Sequence, residues 1–115
     1  MNDEEFVSKV RENLVHREIK MYKTKFSKMD LSKVKDPDWM NLFQLYSSLD
    51  EVNQSRLMSS IKFVINEVLS ELFSILDGES SSPGFEDTVT LFNSEGEKLS
   101  GELMFYHQSQ MQDEE

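Results

Sequence analysis

Residues 51–77 read EVNQSRLMSSIKFVINEVLSELFSILD (Glu51–Asp77), and their apolar pattern describes one long helix. The apolar set is Leu57, Met58, Ile61, Phe63, Val64, Ile65, Val68, Leu69, Leu72, Phe73, Ile75 and Leu76. It covers far more than the stripe of a surface helix, so this helix is expected at the centre of a core. Each fully buried Leu, Ile or Phe would contribute about 1.5–3 kcal/mol before ordering entropy is subtracted. A charge at Ile65 or Leu72 is therefore expected to unfold the domain. Asp50 stands at the N-cap position and Gly78 follows as the stop signal. Lys62, Glu67 and Glu71 interrupt the run, which argues against a span of about 20 residues through a membrane.

Upstream, Asn2 is a candidate N-cap with Glu5 completing a capping box. Acidic residues fill the first turn and lysines the last, as the helix dipole favours. The spacing predicts a helix from about Asp3 to Lys28. Phe6, Val10 and Leu14 open its apolar stripe, and Val15, Ile19, Tyr22, Phe26 and Met29 continue it. The stripe drifts between Leu14 and Ile19, which predicts a kink and a change of packing partner. Asp36-Pro37 starts a second helix, with Asp36 as cap and Pro37 at the first helical position. Trp39, Met40, Leu42, Phe43, Tyr46 and Leu49 make that helix strongly apolar.

Downstream, 79–87 reads as an exposed loop rich in Ser, Pro and Gly. Residues 88–100 read as a small β element, with Thr88–Phe92 alternating and Asn93-Ser94-Glu95-Gly96 as the turn. Segment 98–107 fits a returning strand or a short helix capped by Ser100. Residues 108–115 read as a frayed acidic tail. The expected fold is mainly α, with α+β as the variant. Three main helices surround a central core helix, with a small β-hairpin near the C-terminus, in a single domain over 1–107.

The length of 115 residues suits one domain that buries roughly two-thirds of its unfolded surface. There are no cysteines, which excludes disulfides, thiolate metal sites and a cysteine nucleophile. The opening Met-Asn-Asp-Glu-Glu lacks the basic start and apolar run of a secretory signal. A soluble, cytoplasmic protein is the expectation. The net charge of −10 is unevenly spread. Residues 1–35 carry nine basic and six acidic side chains, whereas 36–115 carry three and sixteen.

No residue is singled out as catalytic, cofactor-binding or metal-ligating. His16, with Glu12 one turn before and Lys20 one turn after, reads as an exposed helical histidine, and His107 as a histidine near a frayed end. Glu67 and Glu71 share a helix face but read as the solvated edge of the core helix. Asp36, beside Asp38, is explained by capping. No phosphate loop and no G-x-S-x-G motif is present. Basic residues crowd segment 17–35, interleaved with Tyr22 and Phe26. Those aromatics sit at core spacing and the lysines scatter around the helix. Charge pairing with the acidic half is the simpler account, and nucleic-acid binding is disfavoured. The acidic half points instead to a basic protein partner. Glu79, Glu86, Asp87, Glu95, Glu97 and Glu102 are its candidate contact residues.

The segments Phe73-Ser-Ile-Leu-Asp-Gly78, Leu91-Phe92 and Gly96-Glu-Lys-Leu-Ser-Gly-Glu-Leu103, followed by an acidic tail, resemble small acidic bacterial proteins, some of the toxin-immunity type. The resemblance covers about a third of the chain. It implies a bacterial origin and a binding role, and carries no functional residue over. The expectation is a non-enzymatic interaction protein, an immunity-type inhibitor of a basic partner. A structural or regulatory homo-oligomer, such as a dimer, is the alternative.

Overall fold

The computed structural model describes residues 1–79 and 83–114. Helix α1 spans Asp3–Arg11 and runs through a π turn at Glu12–His16 into α2, Arg17–Lys28. A 3-10 turn at Leu31–Lys33 leads to α3, Pro37–Ser47. Helix α4 is Glu51–Leu76 and α5 is Leu103–Asp113. The three expected caps are all in place. Asn2 accepts the Glu5 N–H, Asp36 accepts those of Asp38 and Trp39, and Asp50 accepts that of Asn53.

The predicted drift of the first stripe has a structural cause. The extra residue of the π turn rotates the helix, burying Arg11 and Val15. Leu14, expected in the stripe, is left exposed. Helix α4 ends in a Schellman motif, with Gly78 N–H donating to Ile75 O and Glu79 N–H to Ser74 O. Gly78 has φ +75°, which a β-carbon disfavours.

Asp77 then joins two helices. It is the C-cap of α4, and its carboxylate accepts the N–H groups of Gly101, Leu103 and Met104 at 2.6, 3.1 and 2.9 Å. These satisfy the start of α5, which has no side-chain cap of its own. Asp77→Ala is expected to cost about 2–3 kcal/mol in urea unfolding, because three N–H groups lose a charged acceptor. Asp77→Asn should cost less, since one carbonyl oxygen remains.

The hairpin expected at 88–100 is not formed. Among the described residues there is no strand, only one antiparallel bridge between Phe92 and Lys98. Backbone bonds still cross the segment, from Asn93 N–H to Glu97 O and from Leu99 N–H to Leu91 O, and side chains supply the rest. Asn93 Oδ1 accepts the N–H groups of Glu95 and Glu97, and the Ser100 hydroxyl accepts that of Leu91. The frayed tail is also corrected. Helix α5 continues to Asp113, and Glu114 is tied to three helical segments by the contacts described below. Of the 79–87 loop, residues 80–82 lie outside the described residues.

The core is divided in two. Val7, Val15, Leu69, Phe73 and Leu103 form one cluster between α1, the C-terminal half of α4 and α5. Phe26, Phe43 and Met58 form the other, between α2, α3 and the N-terminal half of α4. Tyr22, Trp39 and Tyr46 pack on the second, with Phe26 stacked on Tyr46 at 4.0 Å between ring centroids.

Helix α4 is therefore not enclosed. Only Met58, Leu69 and Phe73 of it are buried, whereas Phe63, Val64, Val68 and Leu72 are exposed. The other helices cover one side, and the 88–100 segment adds Leu91 to the first cluster while leaving Phe63, Val64, Val68 and Leu72 exposed. The expectation that a charge at Leu72 unfolds the domain is overturned, since that side chain is 44 % exposed. The molecule is elongated, 49 × 32 × 25 Å, with a radius of gyration of 17.4 Å against about 13 Å for a compact domain of this length. Its accessible surface is 8028 Å², about 1,500 Å² more than a compact monomer of its mass exposes.

Candidate functional site

Three features stand out: a buried polar network, an acidic end, and the uncovered face of α4.

Arg11 is 1 % exposed, although it carries a charge. Its Nη1 donates to Asn66 Oδ1 at 2.8 Å and to His107 Nδ1 at 2.9 Å, and its Nη2 to Glu114 Oε2 at 2.8 Å. The bond from Arg11 makes Nδ1 of His107 an acceptor. Its Nε2 then carries the proton and donates to Asn66 O at 3.1 Å. Burial, with the Arg11 charge assisting, lowers His107 below the usual histidine value. Burial pushes Glu114 up, but the bond and charge from Arg11, with His16, outweigh it and hold the carboxyl below its usual range. Glu114 Oε1 also meets His16 Nε2 at 2.8 Å, and Oε2 lies 3.8 Å from Lys62 Nζ.

This network ties both ends of the chain to the middle of α4. Both ring nitrogens of His107 are occupied and the ring is fully buried, so it clamps α5 rather than facing a ligand. Acidification is expected to loosen the clamp. The unfolded chain protonates His107 near pH 6.5 while the folded ring resists, so stability falls as pH drops below about 6.5. Glu114, also lowered, adds a loss of the same sign below about pH 4.5. Denaturation midpoints at about pH 7, 6 and 5 check this, and His107→Gln should flatten the slope in that window.

The candidate contact carboxylates divide into three places. Glu79 and Glu102 line one shallow depression of about 520 Å³, beside Asp77 and the exposed ring of Phe105. Glu95 and Glu97 lie on the Asn93 turn, whose side-chain amide also donates to Met1 O and to Glu97 Oε1. Glu86 and Asp87 are exposed in the loop, with Asp87 beside Phe85 and Ile75. Sequence reasoning missed Asp3 and Glu4 as members of the same end. The Asp3 charge foremost, with burial, Glu102 and Glu4 behind it, raises the Tyr106 hydroxyl above its usual value.

A repeat runs along the border between the covered and uncovered sides of α4, with Ile61 packed on the second core cluster and Val64 and Val68 facing out. Leu57, Ile61, Val64, Val68 and Ile75 follow the 4-3-4 spacing of a coiled-coil seam, broken once by Glu71, with Leu72 beside it. Val64 and Val68 are 56 % and 62 % exposed, while Leu57, Ile61 and Ile75 are half-buried. Among the described residues no group of three His, Asp or Glu is placed to hold a metal, and no helix is long and apolar enough to cross a membrane. Glu67 and Glu71 are both exposed on α4.

Comparison with protein-family profiles, with curated proteins and with solved structures finds no match.

Proposed function

We propose that this chain is a non-enzymatic interaction protein that works as a homodimer, paired through the outer face of α4. The observation that carries the reading is the apolar seam of α4, displayed on an unusually large surface. Exposed apolar patches of this kind mark interaction sites. A standard interface buries about 800 Å² on each partner, which the excess surface of this elongated chain can supply. A second copy is the occupant because a self-complementary helix needs only a two-fold axis. The pairing is antiparallel. A parallel pair would set Glu71 against its own copy within the seam, whereas an antiparallel pair centred between Val64 and Val68 separates them. Melting temperature as a function of protein concentration tests the reading. A midpoint that rises with concentration supports it, because dimerisation stabilises the folded state by mass action. A midpoint independent of concentration counts against it.

A second reading, an acidic inhibitor of a basic partner, has its own support. Glu79 and Glu102 share a depression with exposed Phe105, and Asp3 and Glu4 lie at the same end. An aromatic anchor ringed by carboxylates suits a basic protein surface. Reversing Glu79 and Glu102 should abolish capture of a basic partner while leaving the melting temperature unchanged.

A further inference from the structure

The opposite end of the molecule holds a feature that neither reading uses. Four of the six lysines of segment 17–35 are gathered rather than scattered. Lys25, Lys28, Lys33 and Lys35 come together around one groove of about 420 Å³, between the end of α2, the 30–35 turn and the start of α3. They do not pair with the acidic half either. Among the described residues the ion pair within this group is local, Lys33 to Asp30 at 3.9 Å. The groove has an apolar floor that includes Trp39 and Met29, both half-buried. Asp30 and Asp36 also line it, but their carboxylates are engaged by the backbone, Asp30 with Ser32 N–H and Asp36 with those of Asp38 and Trp39.

We propose that this groove binds an acidic peptide carrying a bulky apolar side chain: the apolar group covers Met29, Val34 and the part of Trp39 that Lys25 leaves open, and the flanking carboxylates meet the lysines. Charge and shape argue together. Four ammonium groups around an apolar floor are complementary to a ligand that is anionic at its edges and greasy at its centre. A polyanion alone would leave the floor uncovered. The cations are all lysines, point charges suited to flexible carboxylates, with none of the planar guanidinium forks that grip phosphates two bonds at a time. Trp39 is also poorly placed for base stacking. Lys25 Nζ lies over its ring at 3.9 Å, and Tyr22 and Phe43 flank it at 5.6 and 5.3 Å. Oligonucleotide binding is thereby disfavoured.

The chain has a single tryptophan, which makes Trp39 a site-specific probe. The experiment titrates the full chain with a 12-residue peptide of alternating Glu and Leu, following tryptophan emission at low salt. Parallel titrations use polyglutamate of equal length and a 12-nucleotide single strand. The expected result is a saturable spectral change with the mixed peptide, at least about tenfold tighter than with either control. Lys28→Glu with Lys35→Glu, both at exposed positions, should weaken it by a further about tenfold or more while leaving the circular dichroism spectrum unchanged. No saturable change, equal affinity for polyglutamate, tighter binding of the oligonucleotide, or indifference to the charge reversals would each overturn the proposal. The site lies apart from the seam of α4, so its failure leaves the dimer reading intact.

Discussion

Arg11→Ala is expected to lose about 3–5 kcal/mol of folding free energy. A domain of this kind has only about 5–15 kcal/mol to lose. The cost has two sources. Removing the guanidinium strips donors from Asn66, His107 and Glu114 at once. It also empties a large buried site, because Arg11 is among the largest fully buried side chains. Glu114→Gln should cost about 1 kcal/mol, since Glu114 is partly exposed and its amide replacement still accepts a bond. Urea unfolding at one fixed protein concentration checks both. Near-equal losses would mean that Arg11 is not the hub of the network.

The second large effect concerns assembly rather than folding. Val64→Glu combined with Val68→Glu should convert a dimer into a monomer while leaving the helical content unchanged. Both side chains are more than half exposed in the single chain, so the charges meet water there and cost little. In an antiparallel α4 pair, residues 64 and 68 of the two copies face each other. Four carboxylates would then meet in an apolar seam, where each is desolvated and repelled. A Leu69→Glu variant provides the contrast. Leu69 is 4 % exposed within the first core cluster, so that charge should unfold the chain itself.

The contrast between Leu69 and Val68 shows what was legible in the sequence. The starts of α1, α3 and α4 and the end of α4 could be read, because Asn2, Asp36-Pro37, Asp50 and Gly78 are local signals that act on their nearest backbone. The drift of the first stripe between Leu14 and Ile19 overlaps the π turn at Glu12–His16. Which side of α4 faces inward could not be read, because twelve apolar positions around one helix carry no statement about how many partners arrive to cover them. The spacing of Leu57, Ile61, Val64 and Val68 held the signal of a separate seam. The end of the chain was misread for another reason. Leu103, His107 and Met111 form a helical stripe, but its central member is a histidine, buried only because Arg11, 96 residues away, supplies a donor. Asp77 hides in the same way: it looks like the last residue of one helix and acts as the cap of another. The lysine groove needed the turn at 30–36 to bring two helix ends together, which linear spacing does not encode.

The most direct test of the α4 interface is sedimentation velocity of the native chain and the Val64→Glu/Val68→Glu variant, side by side over a concentration series. The account predicts a native species of twice the 13.5 kDa of one chain, and a variant that sediments as a single chain with its helical spectrum intact. A native chain that remains a monomer at the highest concentration, or a variant that stays dimeric, would contradict it.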